Sequence, residues 1–364
     1  MEEFEPIEVK KKKKKSKTNT LLIVLMIVMC FVMLSSLIVT AFTLKLYNDS
    51  INKEEEIIEE EPEITYTQDE VDQMIADARA EEDILAVSRF KAELKETAES
   101  NSGIITTLRK FYPEYFVYYT GSHYNFLEID NSQPLINVNN DNLIANEGFI
   151  EYHDNGQVTS VKGIDVSKYQ GDIDWDKVAA SGVKYVMIRL GLRGYETGKL
   201  VLDENFEDNI EGALDAGLEV GVYFFTQAIT ESEAREEAEF VCKALEPYDI
   251  TYPIALDVED LYNDKARSYN QTAESRTACA KAFADYVKNN GYTAVIYGNL
   301  TTFSRLLNLN DLAGYDKWLA YYESNIYFPY EIAMWQYSDK GHVDGIDGDV
   351  DLNISFPVPI LSDN

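Results

Sequence analysis

After Lys162 the sequence alternates between short apolar runs and helix-forming runs, and this rhythm constrains the fold more than any other feature. The apolar runs, which predict strands, cover 163–167, 184–191, 219–225, 252–259, 292–299, 317–322, 331–338 and 349–353. Helix-forming runs separate the first five of them, and two of these runs stop at Gly217 and Gly291. Repeated strand and helix units predict a parallel sheet closed into a barrel. The last three strands have little helix between them, so we predict an α/β protein with an incomplete, TIM-like barrel over 161–358.

Four acidic residues fall at the carboxyl ends of predicted strands, where barrels of this kind carry their chemistry. They are Asp165, Asp257, Glu259 and Asp351. Asp257 and Glu259 are two positions apart, so the period of a strand puts both carboxyl groups on one face. Neighbouring carboxylates cannot all stay ionised, and one is expected to hold a proton and act as a general acid. Paired carboxyl groups around a scissile bond are typical of glycoside hydrolysis.

Chance is the alternative explanation for this pair, because the chain has 64 acidic residues. The uninterrupted apolar run PIAL in front of Asp257 favours a function, since two acids at the end of a buried strand are costly without one.

The remaining residue types offer no competing chemistry. The three histidines, His123, His153 and His342, lie far apart and show no zinc-ligand spacing. Cys242 and Cys279 lie in helix-forming runs, where we expect buried thiols, with one disulfide as the alternative. The sequence has no nucleophile elbow and no phosphate-binding glycine loop. We therefore expect no metal and no organic cofactor, and the net charge of −32 excludes nucleic acid as a partner.

The amino-terminal region predicts a membrane anchor. Residues 20–44 contain no charged side chain and would form a helix of about 37 Å, which is enough to cross a bilayer. A cleaved signal peptide is the alternative, but its apolar region is normally about 7 to 15 residues long. Seven lysines in 1–19 predict a basic tail on the cytoplasmic side and place everything after Lys45 outside.

Residues 45–101 predict an acidic and helical stalk. Thr67 and Glu70 form a capping box before a helix that extends to about Ser100. Apolar residues follow a heptad for barely two repeats, at Val71, Ile75, Ala78 and Leu85. This pattern leaves open weak self-association through the stalk or a single helix that lies on its own domain.

Residues 102–160 predict a small β-rich segment with many aromatic side chains. Asp154, Asn155 and Gly156 lie between two alternating runs and indicate a hairpin. The segment either contacts carbohydrate through its tyrosines or packs as a collar against the barrel.

Five motifs from 163 to 356 resemble the family 25 glycoside hydrolases, which are lysozyme-type N-acetylmuramidases of bacterial cell walls. The motifs are GIDVSKYQGDIDW, GVYFF, PIALDVE, WLAYY, and MWQYS followed by DVDLN, in the order of the family. The resemblance implies a (β/α)5β3 barrel. It also implies hydrolysis of the β-1,4 bond between N-acetylmuramic acid and N-acetylglucosamine in peptidoglycan glycan strands.

The resemblance also implies roles for individual residues. Glu259 matches the general acid, and Asp257 matches the carboxylate that stabilises the positive ring carbon or orients the 2-acetamido group. Asp165 and Asp351 match two acids that hold this pair in place. Six residues match positions that bind the sugars, namely Tyr223, Phe225, Tyr297, Tyr322, Trp335 and Gln336. The role of Arg189 on the second strand stays open.

Together these features predict a single-pass membrane protein whose extracellular barrel hydrolyses peptidoglycan. One alternative is an anchor or scaffold protein that binds wall glycan without cleaving it. Another is a protein that recruits partners through 104–160.

Overall fold

The computed structural model describes residues 40–46, 66–100 and 103–356. The chain divides into two compact units, Met1–Ile84 and Leu85–Asn364. The predicted basic tail and most of the predicted anchor at 20–44 lie outside the described residues, and only its last residues, within 40–46, are described, as helix. Among the residues that are described, no helix combines the length and the apolar character needed to span a bilayer.

The described helices include six that position the elements discussed below. They are α1 (Gln68–Glu99), α2 (Ile105–Phe111), α3 (Trp175–Ala180), α4 (Phe206–Asp215), α5 (Glu231–Leu245) and α6 (Ala273–Asn289). Shorter helical turns occur at Asn140–Asn142, Lys168–Gln170, Thr302–Leu306 and Leu309–Leu312.

The strands before the barrel form two small sheets. They are β1 (Tyr115–Tyr119) and β2 (Tyr124–Glu128) in one sheet, and β3 (Leu143–Asn146), β4 (Phe149–Asp154) and β5 (Gln157–Val158) in the other. The barrel region contains β6 (Val161–Val166), β7 (Tyr185–Arg193), β8 (Leu200–Leu202), β9 (Glu219–Phe225), β10 (Ile254–Asp257), β11 (Ala294–Asn299), β12 (Asp316–Ala320), β13 (Met334–Gly341) and β14 (Val350–Ser355).

The predicted capping box at the start of α1 is confirmed. The backbone N–H of Thr67 donates to the Glu70 carboxylate at 2.7 Å, and the backbone N–H of Glu70 donates to the Thr67 hydroxyl at 3.3 Å. Two backbone donors that have no partner within the helix are satisfied in this way. Towards its end, α1 contacts α2 through the rings of Phe90 and Phe111, whose centroids are 5.0 Å apart. Self-association of this helix stays a prediction.

The predicted hairpin at Asp154–Gly156 is confirmed as the turn between β4 and β5. Asn155 and Gly156 have φ angles of 49° and 79°, the left-handed backbone that a two-residue hairpin requires. The sequence analysis did not predict a similar turn at Glu147 and Gly148, which joins β3 to β4.

The segment before the barrel packs closely on the barrel. The Arg109 guanidinium lies 3.2 Å from the centroid of the Tyr327 ring, and the Val117 N–H donates to the Tyr327 hydroxyl at 3.0 Å. The Ile150 N–H donates to the hydroxyl of Tyr337 on β13 at 3.2 Å. These contacts support the packing interpretation of 102–160.

Eight strands close into a barrel, because β6 pairs with β14 on one side and with β7 on the other. The order around the ring is β6, β7, β9, β10, β11, β12, β13 and β14, and only the two pairings of β14 are antiparallel. Helices α3 to α6 fill the first four connections, and short helical turns fill the fifth. This arrangement agrees with an incomplete barrel of five β/α units and three strands. The hairpin partner β8, which pairs with the end of β7, was not predicted.

Side chains alternate between the inside and the outside of the barrel along every strand. Outward residues such as Ile164, Ile188 and Leu256 join the large core beneath the helices. Inward residues near the amino ends of the strands form a separate apolar cluster of Tyr185, Met187, Ala255, Val295, Trp318, Ala333 and Met334. The opposite end of the interior is therefore the part of the barrel that is free for chemistry.

Cys242 and Cys279 are both free thiols, as expected from the sequence. Cys279 is buried on α6 and Cys242 is half-buried on α5. Burial raises the pKa of each thiol to about 11, so neither is a ready nucleophile.

Candidate active site

A cleft of about 510 Å³ opens at the carboxyl ends of the barrel strands. It brings together the four predicted acids and five of the six predicted sugar-binding residues. These nine residues are Asp165, Asp257, Glu259, Asp351, Tyr223, Phe225, Tyr297, Tyr322 and Gln336. Strand ends that lie far apart in the sequence thus converge on one cavity.

Strand register explains how the acids meet. Asp165 and Asp351 are directly opposite each other in the antiparallel pair of β6 and β14. Asp257 is the last residue of β10, beside Phe225 of β9 and Tyr297 of β11. Glu259 follows two positions later, and both acids line the cleft. The predicted common location of the two acids is therefore observed, although β10 ends at Asp257 and Glu259 lies beyond the strand.

Asp165 is the most strongly hydrogen-bonded of the four acids. The side-chain amides of Gln336 and Asn353 both donate to its Oδ2 at 2.7 Å. The Asp351 carboxyl also bonds to it. Burial raises the pKa of Asp165, while these three hydrogen bonds oppose the increase. Asp165 is therefore the natural site of a buried negative charge.

Aromatic residues fix the two amides in turn. The hydroxyls of Tyr297 and Tyr322 donate to the Gln336 carbonyl at 2.9 and 2.8 Å. The indole N–H of Trp318 donates to the Asn353 carbonyl at 2.8 Å. The side-chain oxygen of each amide therefore accepts hydrogen bonds, and the side-chain nitrogen donates to Asp165. This network holds the floor of the cleft in one arrangement.

Asp351 keeps its proton over a wide pH range. Burial and the negative charge of Asp165 raise its pKa to about 9. A protonated Asp351 can donate a hydrogen bond to Asp165, so the two carboxyl groups share a proton at neutral pH.

Asp257 has the least support for a negative charge. Asp257 is only 6% exposed, and its Oδ1 is buried with no hydrogen-bond partner among the described residues. Burial and the charges of Glu259 and Asp165 raise the pKa of Asp257. Burial and Asp165 also raise the pKa of Glu259. Two adjacent carboxyl groups with raised pKa values can supply the acid and the base of one reaction.

The prediction that Trp335 contacts substrate is wrong. Trp335 is 0% exposed, it packs beside Tyr337, and its indole N–H donates to the Tyr321 carbonyl at 2.8 Å. Gln336 points into the barrel, so the preceding residue on the same strand must point outwards. Trp318 supplies the indole that lines the cleft instead.

Six other lining residues were not assigned to the site by the sequence analysis. They are Trp318 and the group Tyr169, Arg189, Leu192, Arg193 and Tyr195. Inward side chains recur at every second position of a strand. Position 320 is inward, so the same alternation would have placed Trp318, two positions earlier, inside the barrel. It could also have found Asn353, which follows Asp351 by two. The lining residues Tyr169 and Tyr195 lie beyond strands β6 and β7, where no sequence period applies.

No cluster of three or more His, Cys, Asp or Glu with the geometry of a metal site occurs among the described residues.

The family model described as glycosyl hydrolases family 25 matches residues 164–346, which is half of the chain. The autolytic lysozyme of Clostridium acetobutylicum is 30% identical over 196 residues, which cover 53% of this chain and 55% of that protein. Lysozyme M1 of Streptomyces globisporus is 28% identical over 204 residues, which cover 54% of this chain and 67% of that protein.

The modular autolysin LytC from Streptococcus pneumoniae has a solved structure that aligns with 66% of this chain and 61% of its own. That alignment has a TM-score of 0.49 and 24% identity. The matched part of this chain spans only about half of the Clostridium relative. The family model covers β6 to the end of β13, including three of the four acids in the cleft, and shows that the chain belongs to the glycosyl hydrolases of family 25.

Proposed function

We propose that this protein is a peptidoglycan hydrolase that cleaves the β-1,4 bond between N-acetylmuramic acid and N-acetylglucosamine. One observation carries the proposal: four carboxyl groups share a cleft but differ in hydrogen bonding, because Asp165 accepts two amide donors whereas the buried Oδ1 of Asp257 has no partner among the described residues. The similarity to an autolytic lysozyme and to lysozyme M1 supports the same substrate class.

Glu259 acts as the general acid in this proposal. It is more exposed than Asp257, and burial and the charge of Asp165 raise its pKa, which favours its protonated form. It protonates the glycosidic oxygen as the bond to the ring carbon breaks. Asp257 faces the positive charge that develops on the sugar, either directly or through the 2-acetamido group. Water completes the hydrolysis, so no cofactor takes part.

A second cavity of about 350 Å³ lies beside the cleft and supports an extended substrate. The two cavities share Glu259, Tyr297 and Tyr322, and the second also contains Asp260 and Asn299. Glu259 therefore has space on both sides. This arrangement suits an acid that acts within a polymer, with sugars bound before and after the scissile bond.

The test uses the full-length chain purified in detergent and incubated with peptidoglycan. Mass spectrometry then identifies the sugar at each new reducing end. We expect N-acetylmuramic acid ends from the wild type, and a loss of about a thousandfold in rate for Glu259→Gln, within the usual range for a general acid. New N-acetylglucosamine ends would refute the bond assignment. Binding without cleavage would favour the scaffold alternative.

We also propose that residues 20–44 anchor the protein in the cell membrane with the barrel outside. The uncharged length of this segment and the lysines before it support the proposal. Protease added to intact cells should digest the barrel and spare a tag placed at the amino terminus. Protection of the barrel would contradict the orientation. Weak self-association through the stalk is tested by crosslinking in the same membranes.

A further inference from the structure

Two cationic side chains, Arg189 and Arg193, line the acid-rich cleft, and they differ in how many carboxylates neutralise them. Arg193 bonds to Glu237 at 2.7 Å and to Glu236 at 2.8 Å, and it also donates to two backbone carbonyls. Its charge and its donors are therefore used within the wall of the barrel.

Arg189 is held by a single carboxylate. Its Nε and one terminal nitrogen both lie 2.6 Å from the Oδ2 of Asp203, whose side chain is 1% exposed. The Asn205 N–H fixes the other oxygen of Asp203 at 3.0 Å. The Tyr169 ring centroid lies 5.0 Å from the guanidinium carbon. The guanidinium is thus fixed in direction.

Strand register places Arg189 on the inward side of β7. It is level with Tyr223 of β9, and Tyr223 is level with Ala255 of β10. Asp257 lies two positions beyond Ala255, on the same face. Arg189 and Asp257 therefore project into the same cleft from strands that are separated only by β9.

Asp257 needs such a neighbour because no described side chain donates a hydrogen bond to it. By contrast, Asp165 accepts two amide donors. Ionisable groups from the surrounding elements also line the cleft around Asp257: Glu259, Asp165, Asp351, Arg189, Tyr223, Tyr297 and Tyr322. Arg189 is the single cation in that set. Burial, Glu259 and Asp165 together raise the pKa of Asp257 well above its ordinary range, and the charge of Arg189 opposes that increase.

Arg189 acts on one member of the acid pair. The groups that shift the pKa of Glu259 are burial and Asp165, without Arg189. Burial is greater for Asp257, so burial alone would leave a shared proton on Asp257, the wrong member for catalysis. Only a cation on the Asp257 side opposes that outcome.

We propose that Arg189 is a positioning residue that biases the acid pair towards an ionised Asp257 and a protonated Glu259. This inference rests on the proposed hydrolysis. The Glu259 proton moves to the glycosidic oxygen, which also receives the electron pair of the breaking bond. The ionised Asp257 faces the resulting positive centre. Water then supplies hydroxide to the ring carbon and returns a proton to Glu259.

The test measures kcat/KM against pH for the full-length protein. In Arg189→Gln the pKa of Asp257 rises. The acid limb of the profile, where kcat/KM falls as the pH decreases, should therefore move to higher pH by about one unit. This is the low end of the effect of an adjacent charge. KM should stay within about twofold, since the change alters protonation rather than sugar contacts. Arg189→Lys keeps the positive charge, so its acid limb should lie close to that of the wild type.

Two further variants separate charge from folding. Arg189→Gln combined with Asp203→Asn avoids a buried unpaired carboxylate and should show the same upward move. Asp203→Asn alone leaves Arg189 uncompensated, so the limb should move to lower pH. Lys168→Gln removes a cation that pairs with Glu204 at 2.8 Å on the same side of the barrel and should leave the limb in place.

Superimposable limbs for the wild type and the double variant would overturn the inference. An equal move in Lys168→Gln would overturn it as well, because the effect would then reflect overall charge. A wild-type protein that cleaves no glycan refutes the proposed function instead, so the two failures are distinguishable.

Discussion

The two ends of the barrel interior are built from the same strands, with the same alternation of side chains, and carry different chemistry. At the amino ends the inward residues include Met187 and Met334, which are fully buried and apolar. At the carboxyl ends they include Asp165 and Asp257, which are buried and acidic. The apolar end supplies stability that offsets the cost of burying carboxyl groups at the acidic end.

The largest expected effect is a loss of activity at the acidic end. Asp257→Asn removes the carboxylate that faces the developing positive charge, and kcat should fall about a thousandfold. The free energy of unfolding should stay the same or increase, because a buried acid with an unpartnered oxygen is replaced by a neutral amide. Steady-state kinetics and urea denaturation measure the two quantities. A variant that keeps a tenth of the activity would contradict the assignment.

The opposite pattern is expected at the apolar end. Met187→Ala leaves a cavity in the inner cluster and should lower the free energy of unfolding by about 2 to 5 kcal/mol. The kcat of the folded fraction should stay near that of the wild type. Val201→Ala on the exposed face of β8 is the control, with a change of about 0.5 kcal/mol or less. Equal losses of kcat in Met187→Ala and Asp257→Asn would show that the two ends of the barrel do not differ in function.

The acidic end should also make stability depend on pH. The pKa of Asp351 is raised from 3.8 to about 9 in the folded protein. The native state therefore keeps a proton that the unfolded chain loses, and this contribution is complete below about pH 4 and is lost as the pH rises towards 9. Denaturation at several pH values should show a slope that is smaller in Asp351→Asn. An unchanged slope would mean that Asp351 is ionised in the folded state.

The smallest effect separates two tryptophans on neighbouring strands. Trp335→Phe loses one hydrogen bond outside the cleft, so we expect about 1 kcal/mol less stability and an unchanged KM. Trp318→Phe loses the bond to Asn353 and should reduce kcat as well. A raised KM in Trp335→Phe would restore the original prediction for that residue.

Several features of the site could be predicted because they depend on local order in the chain. Asp257 and Glu259 line one cleft as predicted, although Glu259 lies just beyond the strand, and the apolar run before them marked a buried strand. Strand alternation, applied strictly, would have excluded Trp335 once Gln336 was placed inside. That error arose from following a motif and not the geometry of the strand.

Other features could not be read from the sequence. The hydrogen bonds that fix Asp165 join residues more than 170 positions away, and the partner of Arg189 lies in the connection after β8. Such pairings depend on how the barrel closes and on which strands become neighbours. Local propensity carries no information about them.

The sequence by itself determined the strand and helix rhythm, the capped stalk helix, the hairpin at Asn155 and Gly156, and the four acids at strand ends. These follow from backbone periodicity and from local hydrogen bonding, which act within a few residues. The differences in pKa among the four acids depend instead on the tertiary structure. Burial, amide donors and one arginine set the pKa values, and these groups reach the cleft from distant parts of the chain.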